Sequence, residues 1–491
     1  MPEPTQEVFS LFKNKGHEIY LVGAGVRNIL LGKRPVDCDF TTDADPDRIL
    51  EIMDKWDPFY DNPYGTVGVP VEIEGEKEVY EITPFRSEEG YSDKRRPDEV
   101  KWGVSLEEDV KRRDFTMNAV VLGPEEPGEK TEMKLVLIDY LNGLKDFEEG
   151  LIRAVGDADE RFSEDALRMM RAIRFAAQLS FEIEKKTLKA IEKNSDLLAK
   201  ISRERVREEM FKILKSNHPA DGMHLLTTTG LMEQVMPEVL EAIDVPQTGH
   251  HTLDVYNHML ESLRHCPSSD PVIRLAAFLH DVGKPRSRKL RCIECGWVMK
   301  DKDLKEEGET AKMTQYQCPR CSKIQSEHQA GSFWGHEVIG ARMVEEIAER
   351  LRLSNKQKEK LVTLVRWHMF AYDPKMTDAA IRRFIRRVGK ENINDMMLLR
   401  VGDRKGGGSK ATSWRLRELQ ERIGEQLYEP MEIRDMEVNG KDVMEILDIE
   451  PGPKIGQVLE KLFEEVIEDT DKNKREYLLK RIEEIGEKIG D

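Results

Sequence analysis

Short apolar runs alternate with amphipathic stretches in the first part of the chain, and this pattern predicts strands that alternate with helices. Residues 19–22 predict a strand that ends in small residues, and residues 65–69 and 79–83 predict two more. Asp45 before a proline and Ser105 before Leu-Glu-Glu both predict capped helix starts. Helical spacing dominates the remaining residues. The sequence therefore predicts an α/β head followed by a mostly all-α neck, body and tail.

Composition narrows the class of protein. A chain of 491 residues has room for roughly three domains. The formal net charge of −17 argues against unselective coating of nucleic acid, but it leaves room for an RNA enzyme with localised basic residues. We see no signal peptide and no apolar run near the ~20 residues of a membrane span. We expect a cytoplasmic protein without a membrane partner, and the oligomeric state stays open.

The segment that follows the first strand carries candidate phosphate and metal chemistry. Gly23 and Ala24 are small enough for backbone amides to approach a phosphate, and the short helix after them carries Arg27. Asp37 and Asp39 lie two positions apart on a predicted strand, so their side chains point the same way. Two adjacent carboxylates repel each other unless a cation lies between them. A triphosphate beside a divalent metal is one interpretation, and a solvated strand end is the other.

Two further features of the head extend this site. Glu81, in the strand predicted at residues 79–83, is a candidate third carboxylate, and a solvated strand glutamate is the alternative. Arg113 follows a second arginine and precedes Asp114 and Asn118, a combination that suits a triphosphate or an RNA 3′ end. A surface ion pair is the alternative for these arginines. The polar residues 86–104 predict a mobile loop.

The head resembles the class II tRNA nucleotidyltransferases, the CCA-adding enzymes, and their relatives the bacterial poly(A) polymerases. The resemblance rests on Gly-x-Gly-Val-Arg, Leu-Leu-Gly, Asp-x-Asp and Arg-Arg-Asp-Phe-Thr-x-Asn-Ala. Ala24 stands where the family has a second glycine, and Asn28 stands where it has an aspartate. The resemblance implies a polymerase-β-like nucleotidyltransferase head with a mixed sheet, in which Asp37 and Asp39 bind Mg2+. It also implies two-metal nucleotidyl transfer from CTP and ATP to tRNA, with release of pyrophosphate.

A predicted helix over residues 161–175 carries a polar stripe in which positions step by three: Asp165, Arg168, Arg171 and Arg174. An exposed, salt-bridged helix face is the alternative. The stripe resembles the Glu-Asp-x-x-Arg segment with which this family reads the incoming base. That resemblance implies that Asp165 and Arg168 select C and A without a template, since an aspartate can accept from the amino group of either base. Arg171 and Arg174 would hold phosphate.

The body carries a second set of candidate ligands. Their order resembles that of the metal-dependent HD phosphohydrolases, which implies a divalent-metal site made of His258, His280, Asp281, His336, His368 and Asp403. Adjacent His and Asp at a helix end can bind one metal ion, and His336 with His368 can hold a second. Some tRNA nucleotidyltransferases carry such a domain, with phosphodiesterase or phosphatase activity. Whether it is active here stays open.

Four of the six cysteines form two Cys-x-x-Cys pairs inside this body. Cys292 with Cys295 and Cys318 with Cys321 have the spacing of a zinc ribbon, so we expect a structural Zn2+ held by four thiolates. Farther along, the basic run of residues 382–387 suits a tRNA backbone, and a solvated helix face is the alternative. The predicted domains are the head at 1–150, the neck at 151–240, the HD domain at 241–405 with the zinc insertion at about 290–325, and the tail at 406–491.

The sequence therefore predicts an enzyme that adds or repairs the 3′-terminal CCA of tRNA, with additional HD phosphohydrolase activity left open. Three alternatives remain. The first is an A-adding tRNA nucleotidyltransferase, the second is a poly(A) polymerase, and the third is an HD phosphohydrolase whose head binds RNA. The intact aspartates of the Asp-x-Asp pair and Arg113 argue against the third alternative.

Overall fold

The computed structural model describes residues 1–35, 38–61, 65–89, 99–125, 134–247, 253–299, 306–310, 313–326 and 331–489. The chain divides into two compact units, Met1–Pro237 and Glu238–Asp491. The predicted α/β head with a mixed sheet and the mostly helical remainder are both confirmed. The domain boundaries expected at residues 150, 240 and 405 remain predictions.

Within the described residues of the first unit, seven strands form one mixed sheet. Their order across the sheet is Phe59–Tyr60, Val67–Ile73, Glu76–Pro84, Asp39–Thr42, Ile19–Val22, Val121–Pro124 and Leu135–Ile138. Asp39–Thr42 runs parallel to Glu76–Pro84, and the other neighbouring pairs are antiparallel. Strands Arg86–Glu89 and Glu99–Trp102 form a separate antiparallel pair.

The core of the head lies between this sheet and its helices. Buried Phe9 and Phe12 of helix Glu3–Asn14 belong to the same apolar cluster as Phe40 and Tyr80 of the sheet. The other head helices are Gly23–Leu30, Pro46–Met53, Leu106–Lys111 and Gly143–Glu148. Asp45 accepts a hydrogen bond from the Arg48 backbone N–H at 2.9 Å, so the predicted cap is present. Ser105 forms the predicted capping box.

The rest of the first unit is helical. Its helices are Ala158–Glu164, Leu167–Leu179, Lys185–Asn194, Arg203–Lys215, Pro219–Thr228 and Leu231–Val235. Strands Leu151–Ile152 and Glu182–Ile183 form a short parallel pair. The prediction of one continuous helix over residues 161–175 is wrong, because the chain is extended at Asp165, with φ −135° and ψ 103°. The Asp165 carboxylate accepts from the Leu167 backbone N–H, so it competes with helical hydrogen bonding.

The second unit is built from helices with small β-structures inserted among them. The helices are Val255–Arg264, Pro271–Leu279, Lys284–Ser287, His336–Arg350, Asn355–Trp367, Asp378–Val388, Ile393–Gly406, Trp414–Gln426, Gly440–Leu447, Pro453–Glu468 and Arg475–Ile489. The strands are Lys289–Arg291, Val298–Met299, Glu306–Thr310, Met313–Gln317, Ile324–Ser326 and Gly331–Ser332. None of the helices in the described part of the chain combines the length and the apolar character that a bilayer span needs.

Candidate functional site

The first candidate site lies where strand Ile19–Val22 turns into helix Gly23–Leu30. Gly23 has a φ of +62°, a conformation that suits glycine, and an ideal Cβ built on it would lie 3.5 Å from Oδ2 of Asp39. Asp39 pairs with Glu81 across the parallel strands, so the two side chains lie on the same face of the sheet. Burial raises the pKa of the Glu81 carboxyl, and the negative charge of Asp61 raises it further. A carboxylate pair therefore lies directly beside the glycine turn.

These carboxylates suit a divalent metal of the magnesium type, because hard cations prefer oxygen ligands. Asp39 and Glu81 each offer a carboxylate from neighbouring register positions. Asp37, which forms the predicted pair with Asp39, lies outside the described residues. Ala24 and Asn28, the two departures from the family pattern, both lie in helix Gly23–Leu30.

Arg113 lies on the carboxyl-terminal side of helix Leu106–Lys111 and is held by Asp109, a residue that the sequence analysis did not single out. Asp109 is fully buried, and its Oδ2 accepts from Nη2 of Arg113 at 3.0 Å while its Oδ1 accepts from Arg112. Burial alone would raise the pKa of Asp109, but the two arginines outweigh it and lower that pKa. This buried carboxylate fixes the Arg-Arg pair.

Asp114 and Asn118 join the head to helix Leu167–Leu179. Asn118 donates to Asp114 at 3.0 Å and accepts from Nη1 of Arg27 at 2.9 Å, and Nε of Arg171 donates to Asp114 at 2.7 Å. Burial would raise the pKa of Asp114, but the charge of Arg171 and the hydrogen bonds from Asn118 and Arg171 lower it to about 2. Asp114 is therefore ionised at neutral pH and ties together two of the predicted nucleotide-binding arginines.

The ring of Phe175 gathers three of the predicted arginines. The guanidinium carbons of Arg27, Arg171 and Arg174 lie 4.9, 5.8 and 4.3 Å from the ring centroid. Arg174 also lies 3.1 Å from Glu209, and burial lowers its pKa to about 10. Sequence positions far apart thus converge on one cationic cluster, which suits a polyphosphate.

Asp165 and Arg168, the predicted base readers, each have other partners. Arg205 donates to Oδ2 of Asp165 at 2.9 Å. Arg168 donates to Glu164 at 2.5 Å and to the Arg161 carbonyl at 3.1 Å. The sequence alone does not assign Arg205 to this site, because forty residues separate it from Asp165 and no local spacing connects them.

The predicted histidines and aspartates of the second unit lie together. Their ligand atoms form two adjacent groups of three residues each. One group is His258, His280 and Asp403, and the other is Asp281, His336 and His368. Asp281 joins the groups, since its Oδ2 lies 3.2 Å from Nε2 of His280 and its Oδ1 lies 3.2 Å from Nε2 of His336. Within each group the ligand atoms lie within 4.8 Å of one another. This arrangement could hold two metal ions with Asp281 between them.

Backbone carbonyls orient the imidazole rings of this cluster. Nδ1 of His280, His336 and His368 lies 2.9, 2.8 and 2.7 Å from a carbonyl oxygen three residues earlier. Each carbonyl favours a proton on Nδ1 and leaves Nε2 facing the centre, as metal-binding histidines require. Burial would lower the pKa of His280, but Asp281 and Asp403 raise it to about 10. Burial lowers the pKa of His368.

The four cysteines of the two Cys-x-x-Cys pairs come together in space. Sγ of Cys292 lies 3.5 Å from Sγ of Cys321, and Sγ of Cys295 lies 3.7 Å from Sγ of Cys318. In the first pair the Gly296 backbone N–H donates to the Cys292 carbonyl at 2.9 Å, and Ser322 donates to Cys318 in the same way. Four convergent sulfurs on two tight turns fit the tetrahedral coordination of zinc.

The basic run at residues 382–387 is occupied by contacts within the second unit. Arg382 is 5% exposed and donates to the Ile467 carbonyl at 2.8 Å. Arg383 lies 2.5 Å from Glu468, and Arg386 lies 2.9 Å from Glu464. These arginines attach helix Asp378–Val388 to helix Pro453–Glu468. Arg382 is therefore not available to tRNA, whereas Arg383 and Arg386 keep about a third of their side chains exposed, and for them the expectation of tRNA contact stays a prediction.

Three family models match separate parts of the chain. Residues 19–153 match the poly A polymerase head domain, and residues 180–243 match the RNA and SrmB-binding site of polymerase A. Residues 325–482 match the tRNA nucleotidyltransferase domain 2. The family resemblance drawn from the sequence motifs is thus confirmed.

Two similar proteins are described as CCA-adding enzymes. A CCA-adding enzyme of Pediococcus pentosaceus is 45% identical over 232 residues, which are 47% of this chain and 55% of the relative. A CCA-adding enzyme of Geobacillus thermodenitrificans is 44% identical over 234 residues, or 47% of this chain and 54% of the relative. The chain spans about half the length of the curated relatives it matches.

Solved structures extend the likeness of the fold. The Bacillus stearothermophilus CCA-adding enzyme in complex with CTP aligns over 100% of this chain and 99% of its own, with a TM-score of 0.66 and 24% identity. The Thermotoga maritima CCA-adding enzyme in complex with tRNA aligns over 98% of this chain and 95% of its own, with a TM-score of 0.54 and 18% identity. The likeness of the fold therefore covers nearly the whole chain.

Proposed function

We propose that this chain, a member of the tRNA nucleotidyltransferase and poly(A) polymerase family, adds the 3′-terminal CCA sequence to tRNA. CTP and ATP would be the substrates and pyrophosphate the second product. The observation that carries the proposal is the cluster of Arg27, Arg171 and Arg174 around Phe175, in which Arg171 donates to Asp114 directly and Arg27 is linked to Asp114 through Asn118. This cluster belongs to the same unit as the Asp39 and Glu81 carboxylates.

The glycine turn and the carboxylates would have different roles in nucleotidyl transfer. Gly23 lets the backbone approach a phosphate closely, and the arginine cluster holds the charge of the triphosphate in place. Asp39 and Glu81, together with Asp37, are the proposed ligands of Mg2+. When bound there, Mg2+ would favour ionisation of the tRNA 3′ hydroxyl and neutralise phosphate charge. Arg113, held by Asp109, is proposed to contact the triphosphate or the RNA end.

Base choice is proposed to rest on Asp165 and Arg168. Each carboxylate oxygen offers two lone pairs, so Asp165 can still accept from a base amino group while Arg205 and Leu167 donate to it. Cytosine and adenine both present an amino donor. Guanine and uracil present a carbonyl at the equivalent edge, where it would meet the carboxylate unfavourably.

An assay with three tRNA substrates tests this proposal against its alternatives. The tRNAs end at the discriminator base, at C and at CC, and each is incubated with CTP, ATP or both. Addition of the missing CCA residues to each tRNA would support CCA addition. Addition of a single A to the CC-ending tRNA alone would indicate an A-adding enzyme. A long A tract would indicate a poly(A) polymerase. No addition would favour the third alternative, an HD phosphohydrolase whose head binds RNA.

The second unit favours an additional function, a metal-dependent phosphohydrolase. The observation behind it is Asp281, whose two oxygens each face one histidine group. Two bound divalent metals would activate water and stabilise charge on a phosphate ester. Water then forms the new bond to phosphorus, the bond to the ester oxygen breaks, and the alcohol leaves with a proton. Release of p-nitrophenol from bis(p-nitrophenyl) phosphate, compared between wild type and Asp281→Asn, tests this activity.

The remaining proposals concern the zinc site, the location and the domains. Four convergent thiolates support a structural Zn2+ at Cys292, Cys295, Cys318 and Cys321.

Metal-type cysteine pairs fit a reducing compartment, so we place the protein in the cytoplasm. We keep the domains as head 1–150, neck 151–240, HD domain 241–405 and tail 406–491. Limited proteolysis followed by mass spectrometry tests these boundaries.

A further inference from the structure

The first cysteine turn and the His and Asp cluster of the second unit border one cavity. A cavity of about 1270 Å³ is lined by the His and Asp cluster and also by Arg291, Cys292, Ile293 and Gly296 from the first cysteine turn. The cysteine turn is therefore one wall of the space above His258, His280 and their neighbours. A structural zinc site remote from the cavity would not supply such a wall.

Backbone pairing links the cysteine turn to the histidine cluster. Strand Lys289–Arg291 leads into Cys292 and pairs with strand Gly331–Ser332. Gly331–Ser332 continues through Phe333 and Trp334 to His336, one of the candidate metal ligands. A displacement of the cysteine turn would therefore be transmitted over a few residues to the rim of the cavity and to His336.

The second cysteine turn holds the wall in position through Gln325, which is 2% exposed. Its side-chain oxygen accepts from the Ile293 backbone N–H at 3.0 Å, and its side-chain nitrogen donates to the Arg291 carbonyl at 3.2 Å. Gln325 follows Cys321 by four positions. Metal binding at the four sulfurs would thus fix Gln325 and, through it, the residues that line the cavity.

The residues that line the cavity combine aromatic, apolar and cationic side chains. Trp334 is 89% exposed, and Ile293 and Met369 are also exposed, so the cavity lining offers aromatic and apolar surface. Lys284, Arg291 and Arg404 line the same cavity and add positive charge. An aromatic platform beside cations suits a nucleobase joined to a phosphate.

We propose that the metal-loaded cysteine site shapes a nucleoside-binding wall of the HD cavity, with Trp334 stacking on the base and Arg291 meeting the phosphate of a nucleoside phosphate ester. This inference rests on the proposed hydrolase function and adds the residues that select the substrate. The cysteine site becomes a specificity element for the neighbouring centre. Its loss impairs the choice of substrate, while the six His and Asp ligands remain.

Two esters with the same leaving group test this proposal on the full-length, metal-loaded enzyme. One is thymidine 5′-monophosphate p-nitrophenyl ester, and the other is bis(p-nitrophenyl) phosphate. In both reactions water supplies the oxygen of the new bond to phosphorus, and p-nitrophenolate leaves with the electron pair of the broken bond. Asp281→Asn measures the background. Wild type is expected to prefer the thymidine ester in kcat/KM by about tenfold, as one stacked base allows.

The variants separate the wall from the metal cluster. Cys318→Ser with Cys321→Ser should lose one equivalent of bound zinc and bring the ratio of the two kcat/KM values close to one. Trp334→Ala should raise KM for the thymidine ester by about tenfold with little change in kcat. Trp414→Ala, another exposed tryptophan that lies outside the cavity lining, should leave the ratio unchanged. Cys266→Ser controls for the loss of a thiol.

The outcomes distinguish failure of this inference from failure of the hydrolase proposal. If wild type hydrolyses neither ester, the hydrolase proposal and this inference both fall. If wild type hydrolyses both but Trp334→Ala and the double cysteine variant keep the wild-type ratio, the hydrolase proposal stands and this inference is wrong. Trp334→Ala keeps the test decisive if the double cysteine variant does not fold.

Discussion

Arg205 donates a hydrogen bond of 2.9 Å to Oδ2 of Asp165, across forty residues of sequence. The exposed fractions of the two side chains are 23% and 15%, so this ion pair is largely shielded from water. The Leu167 backbone N–H donates to the other carboxylate oxygen at 3.0 Å. Asp165 is thereby fixed from two sides, and its orientation depends on Arg205 as a positioning residue.

Replacing Arg205 should therefore impair base selection more than catalysis. In Arg205→Ala the Asp165 carboxylate can rotate, so the preference for CTP and ATP over GTP and UTP should fall by about tenfold, the scale of one lost pairing. Single-turnover addition with each nucleotide measures this preference. Arg205→Lys should restore part of it. An Arg205→Ala enzyme that is slower but equally selective would show a merely structural role.

The close approach of Gly23 to Asp39 gives a prediction with a matched control. Gly23 and Gly32 have similar φ values of +62° and +68°, so alanine should strain both positions and cost about 1 kcal/mol of stability. A Cβ at Gly23 lies 3.5 Å from Asp39 Oδ2, whereas at Gly32 a Cβ meets no described atom within 4 Å. The 3.5 Å contact is an ordinary van der Waals distance, but the added methyl group would fill the space beside Asp39 that the phosphate is proposed to enter. Gly23→Ala should therefore lose most nucleotide addition, and Gly32→Ala should retain it at a similar melting temperature. Equal activity losses would contradict the site.

Asp114 predicts a dependence of stability on pH. Its pKa is about 2 in the folded chain against an ordinary value of 3.8, so its ionised form stabilises the fold above pH 3.8 and this contribution is lost as the pH falls towards 2. The contribution is about 2 kcal/mol at neutral pH. Denaturant unfolding should show Asp114→Asn destabilised at pH 7, with a smaller difference from wild type at pH 3.

The control for Asp114 is an exposed carboxylate in the same unit. Glu107 pairs with Lys111 at 2.7 Å, and both side chains are about half exposed. Glu107→Gln should cost only about 0.5 kcal/mol. If Asp114→Asn were equally mild at pH 7, the buried network around Asp114 would not contribute as described.

The position of Asp281 leads us to expect that hydrolysis can be abolished without loss of nucleotide addition. Asp281→Asn removes the carboxylate that faces both histidine groups, so hydrolysis of bis(p-nitrophenyl) phosphate should fall at least about a hundredfold. CCA addition should be unchanged. His265→Ala, a histidine that pairs with Glu261 outside the cavity, should leave both activities intact. Loss of addition in Asp281→Asn would show that the centres are not independent.

Local chemistry in the sequence was sufficient to predict several parts of the fold. The Asp45 cap, the Ser105 capping box and the strands beside Asp39 and Glu81 all follow from neighbouring residue types. The cysteine pairs and the order of histidines likewise indicated clusters that the structure brings together. In each of these cases the informative residues lie close in the sequence or follow a fixed spacing.

The features that the sequence did not predict depend on contacts between residues that are far apart in the chain. The break at Asp165 interrupts a sequence that reads as one helix, because an aspartate side chain there satisfies the Leu167 backbone N–H. Arg382 and Arg386 form a basic run in the sequence, but their partners lie about eighty residues later. No local pattern contains that information, since burial of a charge depends on which element packs against it.

The most direct test of CCA addition uses one tRNA that ends at the discriminator base. With CTP alone, we expect extension by two residues and then arrest, because the third residue is A and requires ATP. With CTP and ATP together, we expect extension by three residues and no more, resolved on a single-nucleotide gel. No extension with CTP, or a growing A tract with ATP, would show that this chain does not add CCA.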